Sequence, residues 1–180
     1  CIPIPNNVND KSASFGAIGG IAMQSIKCIP NDSKNIAIIG LGLLGQVTFR
    51  ILNALNYNCI VYDIDTEKVQ FAIDNGAVGI KTGDISEFIL NNTGGIGVDC
   101  TIIAASSSSN EIVNKATEYT RRKGKIISSG LIGLNLIRDK FFKKQIELVV
   151  SNSSGDKNHK KEGSSYENIS YFFQLISSRK

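Results

Sequence analysis

Residues 36 to 63 constrain this 180-residue chain most tightly, because strand, turn, helix and strand signals follow one another there without a gap. The apolar run Ile36-Ala37-Ile38-Ile39 reads as a buried parallel strand. Gly40-Leu41-Gly42-Leu43-Leu44-Gly45 then sets three glycines on a strand-to-helix turn. Leu44, Val47, Ile51 and Leu55 recur at three- and four-residue steps and give the next helix one apolar face. Asn56 to Asn58 break it, and the second run, Cys59 to Tyr62, ends at Asp63, 23 residues after Gly40. A lone glycine motif would mean little. Strand, glycines, helix and strand-end acid in this order match what a dinucleotide site needs.

Each part has a physical task. Gly40 permits the tight turn, Gly42 lets backbone approach a pyrophosphate, and Gly45 lets the helix pack close to the sheet. Free N–H groups at the helix N-terminus, with its partial positive charge, hold the diphosphate. Asp63, followed by Ile64, stands where a ribose 2′- and 3′-hydroxyl would donate to it. Its charge would repel a 2′-phosphate, so the residues specify NAD(H) over NADP(H).

The rest of the chain continues the alternation. Ser12 to Lys27 reads as a helix closed by Pro30, after a Pro/Asn-rich lead-in over residues 1–11. Asp65 is placed to cap a helix over 66–75 that stops at Gly76. A short strand follows near 77–80. Asp84-Ile-Ser-Glu87 resembles a capping box for a helix ending before Gly94-Gly95. Val98 to Ala105 is a fourth buried strand, 110–120 a helix, Lys125 to Ser128 a fifth strand after a basic turn, and 146–151 a sixth. Residues 152–165 are polar and turn-rich, and Tyr171, Phe172, Leu175 and Ile176 mark a last amphipathic helix. The expected fold is α/β: a Rossmann-type, doubly wound, six-stranded parallel sheet with helices on both faces. Residues 35–151 would form the dinucleotide-binding domain, 1–34 the approach to it, and 152–180 its final loop and helix.

In this architecture ligands lie outside the carboxyl ends of the strands. The fourth and fifth strands end in Ala104-Ala105-Ser106 and Ser129-Gly130. Such small residues leave room for a nicotinamide to lie against backbone, or simply ease the turn out of the strand. Lys68, one turn into the second helix, either reaches the adenosine ribose beside Asp63 or is a solvated lysine. Asp65 reads as a cap and His159, the single histidine, carries no partner motif. No general acid or base, nucleophile or metal cluster stands out.

Composition narrows the classes further. The net charge is +4, and the basic clusters Arg121, Arg122, Lys123, Lys125 and Lys157, Lys160, Lys161 lack interleaved aromatics. They read as solvated surface, with no nucleic-acid partner expected. Cys1, Cys28, Cys59 and Cys100 show no Cys-x-x-Cys spacing, so local ligands build no zinc site. No signal peptide and no apolar run near 18 residues is present, so a cytoplasmic location and no membrane partner are expected. The start at Cys1-Ile-Pro-Ile-Pro, with Met23 the single methionine, reads like the middle of a domain and predicts a piece of a longer protein.

Ala-Ser-Phe-Gly-Ala-Ile-Gly-Gly-Ile-Ala-Met-Gln-Ser-Ile-Lys (13–27), Ile-Gly-Leu-Gly-Leu-Leu-Gly-Gln (39–46), Tyr-Asp-Ile-Asp-Thr-Glu-Lys (62–68), Asn-Gly-Ala (75–77) and Gly-Val-Asp-Cys-Thr-Ile-Ile-Ala-Ala (97–105) together resemble the medium-chain dehydrogenase/reductases. This is the zinc-type alcohol dehydrogenase-like superfamily. Within it, the Ile-Ile-Ala-Ala-Ser stretch and the preceding helix look most similar to bacterial two-module oxidoreductases of sugar and polysaccharide metabolism. The resemblance implies pyrophosphate contacts from Gly42 to Leu44 and ribose contacts from Asp63 and Lys68. It implies nicotinamide contacts from Ala104 to Ser106 and from Ser129 to Leu131. It further implies a separate catalytic domain holding the substrate and any zinc, and a homodimer through the sixth strand, Ile146 to Val150. Ala17 stands where the family usually offers a threonine to the cofactor. A nucleotide-sensing regulatory module is the alternative reading, since such modules share the glycines and the strand-end acid.

Overall fold

A computed structural model describes residues 1–156 and 163–178. Its sheet contains β1 (Asn35–Ile39), β2 (Asn58–Tyr62), β3 (Val78–Gly79), β4 (Val98–Ile103), β5 (Thr120–Ser128) and β6 (Glu147–Val150). They lie in the order β3-β2-β1-β4-β5-β6, and every neighbouring pair is parallel. The doubly wound architecture expected from the alternation is therefore present.

The strands are almost uniformly apolar because helices cover both faces. Alternate residues divide between two cores, as the two-residue period of a strand requires. Ile36, Ile38, Cys59, Val61, Cys100, Ile102 and Ile127 face one layer. There α2 (Gly16–Ile26), α3 (Leu43–Ala54), α4 (Thr66–Ile73) and α8 (Ser165–Ser177) contribute Ala22, Met23, Phe49, Leu52, Val69 and Phe172. Ala37, Ile39, Ile60, Ile103 and Ile126 face the other layer, met by Ile85 and Ile89 of α5 (Ile85–Asn92) and Val113 and Ala116 of α6 (Glu111–Tyr119). Cys59 and Cys100 behave as core hydrophobes, and burial pushes both thiols up to about 12. Among the described residues no helix is long and apolar enough to cross a membrane.

Some boundaries moved, each for a local reason. The first helix is split: α1 (Asp10–Ala13) is capped by the Asn9 side chain, and α2 begins only after Phe15. β4 stops at Ile103, two residues short of expectation. The basic run at 121–123 is no turn. It lies inside β5, with Lys123 at φ +58° beside a register shift in the β4–β5 ladder. Two cations of β5 are paired, Arg121 with Asp99 and Lys125 with Glu147. Helix α7 (Arg138–Lys144) carried no signal, because none of its residues is fully buried and its N-cap Ile137 offers no side-chain acceptor. The last helix starts at Ser165, ahead of its apolar stripe, because Ser164 caps it. His159, Lys157, Lys160 and Lys161 lie outside the described residues.

Asp99 fastens the N-terminal edge of the sheet. One oxygen accepts from Lys34 N–H (2.8 Å) and Asn35 N–H (2.9 Å), and the other from Arg121 Nε (2.6 Å). Burial pushes this carboxyl up, but the two amides and the guanidinium outweigh it and hold it below the ordinary carboxylate value. A depressed native pKa stabilises the fold above the unfolded value of about 3.9, and that contribution is lost as pH falls through the native pKa. Asp99→Asn should lower unfolding free energy by about 1–3 kcal/mol at neutral pH. The gap between wild type and variant should then narrow as pH falls below about 4. Urea unfolding at both pH values reads this, and a gap independent of pH would refute it.

Candidate functional site

The sheet order puts β1 beside both β2 and β4, so the winding reverses between β1 and β4. That reversal opens a crevice at the carboxyl ends of these strands. Gly40 leaves β1 with φ +92°, a conformation that favours glycine. A Cβ there would lie 2.6 Å from the Ala105 nitrogen and 2.8 Å from its Cα, so the loops after β1 and β4 are in close contact. Gly45 is confined from the other side: a Cβ would run into the Gly40 carbonyl, with Ala104 Cβ 3.6 Å away. It therefore permits the turn itself as well as close helix packing.

Gly42 is different. No heavy atom lies within 4 Å of where its Cβ would be, and its φ of −64° suits any residue. Nothing inside the fold requires glycine there. The bare backbone faces open space at the start of α3, whose Gly42 N-cap supplies no side-chain acceptor and whose first turn holds no acid. The first-turn N–H groups of Leu43, Leu44 and Gly45 have no intrahelical acceptor. By contrast, α4, α5 and α8 are capped by Asp65, Asp84 and Ser164. Backbone left bare at an uncapped helix start fits an anionic diphosphate.

At the end of β2 the sequence reading was incomplete. The Asp63 carboxylate accepts from Leu41 N–H through Oδ2 (2.5 Å) and from Asp65 N–H through Oδ1 (2.9 Å). It thus ties the glycine turn to the start of α4, and each oxygen keeps lone-pair capacity for a further donor. Asp65 caps α4 by accepting from Glu67 N–H and also holds the Lys68 ammonium at 3.1 Å. The hydrogen bond that Lys68 donates to Asp65, with the charge of Asp63, raises the Lys68 pKa above its ordinary value. Lys68 therefore stands beside Asp63, and Ile64 projects with 91% of its surface exposed.

The ends of β4 and β5 lie side by side. Ala104 N–H donates to the Ile39 carbonyl (2.8 Å), and the Ser129 and Gly130 N–H groups both donate to the Ile103 carbonyl (2.9 Å each). A Cβ on Gly130 would collide with the Ala105 carbonyl. Beyond the sheet, Ser107 N–H donates to the Leu131 carbonyl (2.8 Å) and Gly133 N–H to the Ser107 carbonyl (3.2 Å). Ser106 and Leu131 are exposed on this floor. Ala17, on the first turn of α2, is exposed as well.

Two buried serines bonded to this region, Ser25 and Ser151, carried no sequence signal. Ser25 of α2, fully buried, makes a hydrogen bond through its hydroxyl to Ser129, and lies 3.1 Å from the Ser151 hydroxyl and 3.3 Å from the Ile21 carbonyl. These contacts span 104 and 126 positions of sequence, beyond the reach of any local motif. An apolar groove of about 460 Å³ along α3, lined by Leu43, Val47, Phe71 and Phe172, adjoins the start of that helix. Among the described residues no three His, Cys, Asp or Glu side chains are grouped so as to hold a metal ion.

No family model matches the chain. It is 27% identical over 135 residues to an alcohol dehydrogenase of Geobacillus stearothermophilus, a match covering 72% of this chain and 39% of that protein. Its fold superimposes on 2R,3R-butanediol dehydrogenase from Bacillus subtilis with a TM-score of 0.80 at 16% identity, covering 98% of this chain and 49% of that one. A short chain alcohol dehydrogenase from Escherichia coli complexed with NADH gives 0.77 at 18%, covering 97% and 50%. The chain thus spans half or less of the length of these proteins. In sequence motifs and in fold, it resembles the nucleotide-binding domain of the medium-chain dehydrogenase/reductases.

Proposed function

We propose that this chain is the NAD(H)-binding domain of an oxidoreductase acting on an alcohol or carbonyl substrate, a sugar among the candidates. The observation that carries the reading is the bare Gly42 backbone at the uncapped start of α3. The cofactor, when bound, supplies or takes the hydride, and the protein's part is to bind and orient it. Gly40 and Gly45 shape the turn, and Gly42 to Leu44 hold the pyrophosphate. Asp63 accepts from the adenosine ribose with Lys68 beside it, and Ile64 offers the adenine an apolar wall. Ala104 to Ser106 and Ser129 to Leu131 form the floor under the nicotinamide. Substrate, and zinc where the parent enzyme uses it, belong to a separate domain of the same polypeptide, so this chain binds cofactor without turnover. Similarity to an alcohol dehydrogenase favours this reading over a regulatory sensor. Two copies would pair through the outer edge of β6, where Val150 is 61% exposed, seen in sedimentation as a species of twice the chain's mass.

Titration calorimetry tests the assignment directly: saturable NADH binding tighter than NADPH supports it, and no binding of either refutes it. Asp63→Ala should weaken NADH by about tenfold or more, as charge-assisted hydrogen bonds to ribose are lost, with a smaller loss for NADPH. The same change strips the Leu41 and Asp65 amides of their acceptor, so a stability loss of about 1–3 kcal/mol should accompany it. Equal losses for the two cofactors would sink the specificity argument.

A further inference from the structure

We infer that Ser25, buried on α2, is a positioning residue for the nicotinamide half of the cofactor, acting through Ser129. The inference rests on the NAD(H)-binding reading above. Ser25 is fully buried on α2, and Ser151, at the end of β6, is buried as well. Ser129 directly follows β5 and is half-buried. The three hydroxyls meet at one point, Ser25 bonding to both of the others.

The Ser25 hydroxyl has two acceptors in reach of its proton, the Ser151 oxygen (3.1 Å) and the Ile21 carbonyl (3.3 Å). Between Ser25 and Ser129 either hydroxyl can be the donor, and in both cases the two oxygens are joined. Ser25 thereby ties the ends of β5 and β6 to one helix. The backbone so fixed is Ser129-Gly130, whose amides already converge on Ile103, and Ser151, whose amide donates to the Ser128 carbonyl (2.9 Å). Two adjacent strand ends, both on the nicotinamide side of the crevice, are thus held in register by one side chain. The glycine turn, Asp63 and Lys68 share none of these hydrogen bonds, so the adenosine half of the site is independent of Ser25.

That independence makes the inference testable on the whole chain. Binding of NADH and of ADP-ribose, which shares the adenosine and pyrophosphate but lacks nicotinamide, is measured for wild type and Ser25→Ala. The expected result is a loss of about fivefold or more for NADH, with ADP-ribose changed less than about twofold and a reduced emission enhancement of bound NADH. Equal losses for both ligands, or none, overturn the inference and leave Ser25 a hydroxyl that only packs α2. Should Ser25→Ala fail to fold, Ser151→Ala removes one arm of the same cluster without touching α2 and must show the same split. A wild-type chain that binds neither ligand refutes the cofactor reading itself, an outcome separate from any behaviour of the variants.

Discussion

Gly42→Ala is expected to fold as well as the wild type and to lose most of its affinity for NADH. A methyl group at this position meets no heavy atom within 4 Å, and φ is −64°, so the native fold accepts alanine without strain. Narrowing the unfolded ensemble should even raise stability by about 0.4–1 kcal/mol. The same methyl stands between the first-turn amides of α3 and a pyrophosphate. Those charge-assisted hydrogen bonds are worth about 1.5–3 kcal/mol each, so affinity should fall at least tenfold, and further for Gly42→Val. Thermal melts and calorimetry on one preparation read both halves. Undiminished NADH binding by Gly42→Val would remove the observation on which the functional reading stands.

Gly45→Ala should do the reverse: damage the fold first. The added carbon would overlap the Gly40 carbonyl oxygen and lie 2.9 Å from the Gly40 carbonyl carbon. The obstacle is backbone, fixed by its own bond from Gly40 N–H to the Tyr62 carbonyl (2.9 Å), so no rotamer can yield. Overpacking of this kind costs about 3 kcal/mol or more, a fall in Tm of about 6–12 °C for a chain of this size. A variant with wild-type Tm would mean that the turn relaxes far more easily than its contacts imply. The same substitution three positions apart thus separates a glycine kept for the fold from one left bare for a ligand.

The architecture was readable because it rests on local signals. Apolar runs of four to six residues, helical periodicity and the caps Asp65 and Asp84 each act within a few positions. What stayed hidden depends on contacts across the fold. Asp63 was legible as a strand-end acid, but its hold on Leu41 and Asp65 appears only once β2 lies beside the glycine turn. Arg121 to Lys123 looked like a solvated turn because charges usually mark one, whereas Asp99 on β4 draws Arg121 into a strand. Ser25 and Ser151 are ordinary serines until α2, β5 and β6 converge. Helix α7 buries none of its residues fully and sets only Phe141 against the core, so periodicity had little to report.

The short ladder formed by Ser107, Leu131 and Gly133 has a thermodynamic consequence. It stitches two loops together with their own backbone bonds. The ordering entropy of that surface is therefore spent during folding and not at the moment of association. A guest arriving there meets a preorganised floor, and the heat released on binding should report contacts made with it, with little loop ordering to offset them.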